Sequence, residues 1–219
     1  RSKAHHYDVV HAHYSLSAYV ATLAGAKPLV VSLMGSDVKA AGWHSRIVRL
    51  FSKFFRWNNV IVKSKDMAEA AKIKHAQIIP NGVDMDLFVP MDQKECRQKL
   101  GWKDGVTHVL FPANPDRQEK DFGLAEQVVK MAGKDIAIHV FRNVAHSDTV
   151  LYFNAADAVL LTSKWEGSPN VIKEALACCR PIVSTNVGDV KERLTGIAGC
   201  YVAETREPDE LAGLLKRRS

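Results

Sequence analysis

WEGSPNVIKEALACCRPIVSTNVGD, residues 165–189, is the stretch of sequence that decides the fold. The apolar run that precedes it, residues 158–163, is typical of a strand in a parallel sheet that is covered on both faces. Ser168 suits a helix N-cap, and Pro169 suits the first helical position, where no backbone N–H is needed. The pattern predicts a strand, a turn and then a helix that begins at Pro169 and ends near Cys179.

The start of this helix carries groups that suit a phosphorylated sugar. The amides of Asn170 and Val171 are expected to be unpaired donors at the positive end of the helix dipole, where phosphate groups bind. Glu174 lies about 9 Å along the helix at 1.5 Å per residue, and Glu166 stays in the preceding loop. Because a carboxylate accepts hydrogen bonds from hydroxyl groups, one glutamate can hold a ribose beside the phosphates while the other faces the group attached beyond them. The alternative is a solvated helix face that happens to carry two acidic residues.

A family motif runs through the same residues. Glu166 and Glu174 are separated by seven residues, and residues 174–183 read EALACCRPIV. In these positions the chain resembles the retaining glycosyltransferases of family 4, whose fold is GT-B. Three further stretches resemble segments of that family: residues 7–13 its acceptor-side strand, residues 79–88 its interdomain segment, and residues 154–157 the approach to its donor strand.

The resemblance implies an α/β fold of two Rossmann-like parallel-sheet domains, acceptor-side at 1–88 and donor-binding at 89–219. The family's opening strands and glycine-rich loop have no counterpart here, so we expect the N-terminal domain to be incomplete. Glu166 would contact the transferred sugar, and Glu174 would hold the nucleotide ribose. The expected donor-binding residues are Arg117, Lys120, Gly167, Ser168, Asn170, Val171 and Glu174, and the expected catalytic residues are His13 and Glu166.

A second loop can supply charge for a diphosphate. It follows the predicted strand 107–113, and ligands of open α/β sheets bind outside the carboxyl ends of strands. Arg117 can act there as a planar fork and Lys120 as a point charge. Members of the family more often place the arginine five residues ahead of the lysine, where Pro115 stands in this chain, so Lys120 is the closer match. The alternative is a pair of solvated cations beside acidic neighbours.

Two histidines lie on the first predicted strand. His11 and His13 alternate with apolar residues, so both side chains point to one face. The resemblance implies that His13 faces the C6 region of the sugar and the acceptor, with a structural role at the strand end as the alternative. We interpret His11 as a core histidine, and residues 35–37 resemble the family's Gly-x-Asp turn. Two strand histidines without an acidic partner do not make a metal site, so no metal is expected.

Composition indicates a globular protein. The 219 residues are 47% hydrophobic, which is enough to bury a sizeable core. The four cysteines have no metal-binding spacing, and the adjacent pair Cys178-Cys179 suits a reducing compartment. No apolar stretch reaches the roughly 18–20 residues that a membrane span needs, because Lys27-Pro28 interrupts the longest one. We expect a cytoplasmic protein that uses a nucleoside-diphosphate sugar as co-substrate and no other cofactor.

Short β-branched runs alternate with helical patterns along the chain, which predicts βα units and parallel sheets. The predicted strands are 7–13, 28–34, 59–63, 76–80, 107–113, 136–141, 158–163, 181–185 and 199–203. The predicted helices are 15–25, 43–57, 65–74, 91–101, 121–132, 147–155, 169–179, 188–195 and 207–217. The turn at Asn81-Gly82 and the polar stretch after it predict a domain boundary near residues 85–105.

Residues 43–57, WHSRIVRLFSKFFRW, predict a helix with an apolar side and a basic side. The apolar side holds Ile47, Leu50, Phe51, Phe54 and Phe55, and the basic stripe holds Arg46, Arg49, Lys53 and Arg56. Such a helix suits an anionic membrane surface, and a helix packed on the sheet is the alternative. With a formal net charge of +6, we hypothesise weak attachment to the inner membrane face.

With the resemblance, the sequence predicts a retaining, metal-independent glycosyltransferase that moves a sugar from a nucleoside-diphosphate donor. The expected acceptor is a cell-envelope polysaccharide or a lipid-linked carbohydrate. Two alternatives stay open: a nucleotide-sugar epimerase of similar architecture, and a catalytically inactive fragment that binds a nucleotide-sugar. A nicotinamide-dependent oxidoreductase is disfavoured because no Gly-x-Gly-x-x-Gly follows a predicted strand. No nucleic-acid partner is expected, since no recognition module is present.

Overall fold

The computed structural model describes residues 6–39, 43–55 and 57–217. It divides the chain into two compact units, Arg1–Asn81 with Glu166–Ser168, and Gly82–Trp165 with Pro169–Ser219. Each unit contains one parallel β-sheet with helices between its strands. The predicted α/β class with two parallel-sheet domains is therefore confirmed.

The first unit holds a four-stranded sheet in the order β1-β2-β3-β4, all parallel. Its strands are β1 Val10–His13, β2 Leu29–Ser32, β3 Asn59–Val62 and β4 Gln77–Ile78. Its helices are α1 Ser15–Leu23, α2 Ser36–Lys39, α3 Trp43–Phe54 and α4 Lys65–Ala71. Ala12, Val31 and Val60 stand side by side in the register and join one buried cluster. Because side chains alternate along a strand, His11, His13 and Ser32 lie on the opposite face.

The second unit holds a five-stranded parallel sheet in the order β6-β5-β7-β8-β9. Its strands are β5 Thr107–Phe111, β6 Ile136–Val140, β7 Ala158–Leu161, β8 Ile182–Thr185 and β9 Cys200–Ala203. Its helices are α5 Gln93–Leu100, α6 Phe122–Ala132, α7 Thr149–Ala155, α8 Asn170–Ala177, α9 Val190–Leu194 and α10 Pro208–Lys216, with short 3-10 turns at Gln118–Lys120 and His146–Asp148.

The central strand β7 explains why its sequence is apolar throughout. Val159 and Leu161 join the core cluster that includes residues of α7 and α8, whereas Ala158 and Leu160 join the cluster that includes residues of α6 and α10. All four side chains are buried, and burial of each Val or Leu contributes about 1.5–3 kcal/mol to stability. The carboxyl end of β7 is thereby fixed in the middle of the sheet.

Each strand of the described residues lies inside its predicted range, and each predicted helix range contains a helix. The short helix α2 and the two 3-10 turns were not predicted, because segments of three or four residues are too short to show a periodicity. The predicted helix 43–57 ends at Phe54 instead, and Arg56, which we assigned to its basic stripe, lies outside the described residues.

The predicted start of α8 is wrong by one residue. Pro169, not Ser168, is the N-cap, with φ −67° and an extended ψ of 123°. The proline ring fixes φ but leaves ψ free, so Pro169 can stand just before the helix and accept a hydrogen bond from the amide of Ile172 at 3.3 Å. The helix also ends earlier than predicted, at Ala177, because Cys179 takes the left-handed conformation with φ 54°.

Candidate active site

Helix α8 begins nine residues beyond the last residue of β7, at the carboxyl edge of the second sheet. Asn170 and Val171 supply its first two amides, which have no carbonyl partner four residues earlier within the helix. The Asn170 side chain is exposed and that of Val171 is half-buried. Their amides lie at the positive end of the α8 dipole and suit an anionic group.

Glu174 lies one turn further along α8 and is only 8% exposed. Among the described residues, none donates a side-chain hydrogen bond to its carboxylate. Burial raises the pKa of Glu174, and the positive charges of His146 and Lys173 offset part of that rise. A buried carboxylate without a hydrogen-bond donor is unfavourable in the unliganded chain, so a ligand with hydroxyl donors would supply what the protein does not.

The loop after β5 carries Arg117 and Lys120, as the sequence predicts. The Arg117 guanidinium is paired with Glu119, with Nε 2.7 Å and Nη2 2.5 Å from the same carboxylate oxygen. Burial alone would raise the pKa of Glu119, but its own backbone amide and Arg117 outweigh burial and lower it. Lys120 ends the 3-10 turn Gln118–Lys120, and its side chain is half-buried. Arg117 is therefore engaged within the loop in the unliganded chain.

Hydrogen bonds hold the end of this loop against the carboxyl end of β7. The Thr162 hydroxyl is 3.0 Å from the Lys120 carbonyl oxygen and 2.9 Å from the Asp121 carbonyl oxygen. Arg206 donates to the carbonyl oxygens of Thr162 and Ser163, at 3.2 and 2.6 Å, and pairs with the Asp121 carboxylate at 2.6 Å. The backbone at Lys120 and Asp121 is thus fixed by partners far away in sequence.

A second ion pair reaches this loop from the loop after β6. Both guanidinium nitrogens of Arg142 donate to the Asp116 carboxylate, at 2.8 and 3.0 Å. Asn143 adopts the left-handed conformation with φ 56°. This pair connects the loops that follow the neighbouring strands β5 and β6.

The remaining site residues belong to the first unit. Glu166, Gly167 and Ser168 group with it, and Gly167 and Ser168 are buried while Glu166 is half-buried. His13 is exposed at the carboxyl end of β1, with its ring centroid 4.1 Å from that of His11. His11 is not a buried core residue as we expected, since it is exposed and its Nε2 lies 2.9 Å from the Ser32 hydroxyl. The prediction that the side chains of His11 and His13 point to the same face of the strand is confirmed.

The turn after β2 is fixed by one buried carboxylate. Asp37 accepts hydrogen bonds from the amide and the hydroxyl of Ser15 at 3.0 and 2.6 Å, and from the amide of Met34 at 2.5 Å. The side chain of Asp37 is fully buried, and its acceptor oxygens are used inside the protein. The Gly-x-Asp turn at residues 35–37 therefore supports the loop structure next to His13.

Sequence reasoning missed four residues of these two regions: His146, Thr162, Arg206 and Lys63. The first three act on Glu174 or on the Lys120 loop from 28 to 85 positions away, and no local pattern marks such partners. Lys63 carried a signal that could have been used, a charged residue directly after an apolar strand.

Among the described residues, no group of three or more His, Cys, Asp or Glu side chains is arranged to hold a metal ion.

Two family models match the chain. Residues 103–217, more than half of the chain, match the model described as "Glycosyl transferases group 1", and residues 1–87 match "Glycosyltransferase Family 4". The chain belongs to the group 1 glycosyl transferases. Both halves of the resemblance read from the sequence motifs are thus confirmed at the level of the family.

Similar proteins agree with this assignment. A Bacillus subtilis (strain 168) protein whose name refers to teichuronic acid biosynthesis, TuaC, is 26% identical over 210 residues, which cover 84% of this chain and 54% of TuaC. A D-inositol 3-phosphate glycosyltransferase of Actinosynnema mirum is 27% identical over 264 residues, covering 95% of this chain and 63% of the relative. This glycosyl transferase chain therefore spans between about half and two thirds of the length of these curated relatives.

Solved structures show the same fold. The Anabaena protein HepE, in complex with UDP and glucose, superimposes with a TM-score of 0.78 at 20% identity, over 97% of this chain and 68% of HepE. At this identity the likeness shows the fold alone, the two parallel-sheet α/β units of the GT-B glycosyltransferases. None of the helices in the described part of the chain is long and apolar enough to cross a bilayer.

Proposed function

We propose that this chain carries the donor site of a retaining glycosyltransferase that uses a nucleoside-diphosphate sugar. The observation that carries the proposal is Glu174, a buried carboxylate that no described side chain satisfies, one turn behind the free amides of α8. Ribose hydroxyls would donate to Glu174 while a phosphate oxygen accepts from the amides of Asn170 and Val171. The solved complexes of HepE with UDP and with UDP-glucose support this class of donor.

Bond breaking would be assisted by fixed positive charge. As the bond between the anomeric carbon and the phosphate oxygen breaks, negative charge develops on the diphosphate, and Lys120, Arg117 and the α8 N-terminus stabilise it without a metal. Arg117 would exchange its contact with Glu119 for the diphosphate. The acceptor oxygen forms the new bond on the same face of the sugar, and its proton passes to the leaving phosphate oxygen. Glu166 would orient the sugar in this scheme, and His13 would contact the sugar or the acceptor.

Calorimetric titration of the chain with UDP, GDP and ADP tests the donor site and identifies the base. We expect one of the three to bind, and the Lys120→Met variant to bind it at least tenfold more weakly, because a charge-assisted hydrogen bond to phosphate is lost. The exposed lysine Lys130 on α6 provides the matched control, since Lys130→Met removes the same charge from another surface. Failure of all three nucleotides to bind would refute the donor site.

Product analysis separates transfer from the alternatives. Incubation of the nucleotide-sugar without acceptor would leave it unchanged in a glycosyltransferase, whereas an epimerase would convert it to a second sugar. With an acceptor, proton NMR of the anomeric hydrogen reports retention or inversion directly. The relatives found are glycosyltransferases, so the epimerase alternative is not favoured. Nucleotide binding without any transfer would identify the chain as an inactive nucleotide-sugar-binding fragment.

We further propose that the acceptor is a cell-envelope polysaccharide or a lipid-linked carbohydrate, and that the chain works in the cytoplasm at the membrane face. All four cysteines are free thiols, which suits a reducing compartment. Helix α3 supports membrane contact: Trp43 and Phe54 are 71% and 70% exposed and lie on one side with Leu50, while Arg46 and Lys53 border them. An exposed apolar strip flanked by cations is the pattern of a helix that lies in an anionic membrane surface.

Vesicle sedimentation tests this contact. The double variant Arg46→Glu, Lys53→Glu should bind anionic phosphatidylglycerol vesicles at least tenfold more weakly than the unmodified chain, because each basic residue near the surface contributes about 1 kcal/mol. The matched control is Lys130→Glu, Lys134→Glu, which changes the net charge equally at exposed positions of the second unit. Equal loss in both variants, or no binding by the unmodified chain, would refute a specific α3 surface.

A further inference from the structure

Lys63 is a buried lysine that the proposed donor chemistry does not use. It follows β3 directly and is only 6% exposed. Among the residues that the structure describes, none forms an ion pair or a hydrogen bond with its amine. Burial lowers the pKa of Lys63, as expected for an ammonium group without a partner. Buried charges in proteins are normally paired, so an unpaired one indicates a missing negative partner.

The register of the first sheet places Lys63 on the face that carries the histidines. His13 stands opposite Ser32, and Ser32 stands opposite Ile61, two residues before Lys63. Side chains two residues apart on an extended chain point to the same face. The pKa of His11 is lowered first by partial desolvation of its ring, then by the charges of His13 and Lys63, which places the lysine within electrostatic reach of the histidine pair. The carboxyl edge of the sheet therefore gathers three basic groups.

The acidic residues that follow the neighbouring strands are already engaged. After β2, Asp37 accepts hydrogen bonds from Ser15 and from the amide of Met34. After β3, Asp66 accepts a hydrogen bond from the hydroxyl of Ser64. Neither carboxylate is paired with Lys63.

We propose that Lys63 binds a phosphate or carboxylate group on the acceptor that receives the sugar. Such a group supplies the negative partner that the Lys63 ammonium lacks, and a charge-assisted hydrogen bond would hold it. An acceptor held there lies beside His13, the residue that we assign to the acceptor side. The identification of the ligand as an acceptor rests on the proposed function, but the anion site can be tested without glycosyl transfer.

Titration with inorganic phosphate tests the site, on the chain already saturated with the nucleotide that binds the donor site. We expect phosphate to bind under these conditions, and the Lys63→Met variant to bind it at least tenfold more weakly. The matched control is Lys65→Met, an exposed lysine two residues later that removes the same charge. Equal phosphate affinity in Lys63→Met, no phosphate binding by the unmodified chain, or displacement of phosphate by the nucleotide would overturn the proposal.

Histidine NMR supplies a readout that a purely structural lysine would not move. Bound phosphate offsets the charge of Lys63, so the pKa of His11 should rise when phosphate is added. The C2–H resonance of His11, assigned with a His11→Gln variant, measures this pKa. In Lys63→Met the pKa of His11 should not respond to phosphate, and a full response in that variant would overturn the proposal. Phosphate binding without nucleotide binding would refute the proposed function alone, and the reverse result would refute the anion site alone.

Discussion

Replacement of Glu174 by glutamine should weaken nucleotide binding while it stabilises the unliganded chain. The substitution keeps the size of the side chain and removes its negative charge. In the proposed complex, Glu174 accepts hydrogen bonds from ribose hydroxyls, and a hydrogen bond to a charged group contributes about 1.5–3 kcal/mol. Loss of that contribution corresponds to roughly 10- to 150-fold weaker binding of the nucleotide. Isothermal titration calorimetry with the nucleotide that binds the unmodified chain measures this change.

The stability effect has the opposite sign. Because burial raises the pKa of Glu174 in the folded state, that state binds more protons than the unfolded chain between the two pKa values. The free energy of unfolding therefore falls as the pH rises through this window and stays lower at neutral pH. Glu174→Gln removes the penalty, so its free energy of unfolding at pH 7 should exceed that of the unmodified chain by about 1 kcal/mol, since a buried amide costs less than a buried carboxylate. Below about pH 4 the gain should disappear, because Glu174 is protonated in both states.

Urea denaturation at pH 7 and near pH 4 measures both values. Glu126→Gln on α6 is the matched control, because Glu126 is exposed and should change neither nucleotide affinity nor the pH dependence. Unchanged nucleotide affinity in Glu174→Gln would refute the assignment of this carboxylate to the ribose. A loss of stability at pH 7 would show that Glu174 is satisfied within the protein, which would remove the observation on which the proposed donor site depends.

Three further changes test the framework around the site. Arg206→Met should lower the free energy of unfolding by about 2–3 kcal/mol in urea denaturation, because it removes the ion pair with Asp121 and two hydrogen bonds to carbonyl oxygens; an unchanged midpoint would contradict this role. Asn154→Ala should lower the free energy of unfolding by about 3 kcal/mol in the same assay, because buried Asn154 forms hydrogen bonds with the backbone of residues 89–91 and with its own helix. A loss below about 1 kcal/mol would contradict this role. Burial and two neighbouring positive charges lower the pKa of His139 to about 4. The free energy of unfolding should therefore fall by about 1–2 kcal/mol as the pH drops from 6.5 to 4, after allowance for the partial exposure of His139. His139→Gln should flatten that slope, and an equal slope in both proteins would refute the assignment.

The order of strands and helices could be predicted because each element carries its own local pattern. β7 is apolar at every position since it is buried on both faces, and the pattern of α8 places Glu174 on the helix without any knowledge of its neighbours. The predicted ranges were longer than the elements by a few residues at most ends. Apolar residues continue past the last residue of a strand, as Leu33 does after β2, and sequence patterns do not mark that end.

Partners that are distant in sequence could not be predicted. The sequence predicted that Arg117 is available to bind the diphosphate, but in the unliganded chain Arg117 forms an ion pair with Glu119. Arg206 was not recognised at all, because its partner Asp121 lies 85 positions away. Ion pairs form between charged side chains that are close together in the folded chain, and that distance cannot be read from a single sequence. For the same reason, the sequence shows the histidine pair on β1 but does not show that the charge of Lys63 lies close to it.

The fixed backbone around Lys120 has a kinetic consequence. Thr162 holds the carbonyl groups of Lys120 and Asp121, and Arg206 holds the Asp121 carboxylate, before any nucleotide arrives. Binding would therefore not have to await the ordering of that segment. Stopped-flow mixing with a fluorescent nucleotide should then give a single exponential whose rate rises linearly with nucleotide concentration and falls with added salt. In Arg206→Met, a second, concentration-independent phase should emerge as the loosened segment becomes rate-limiting.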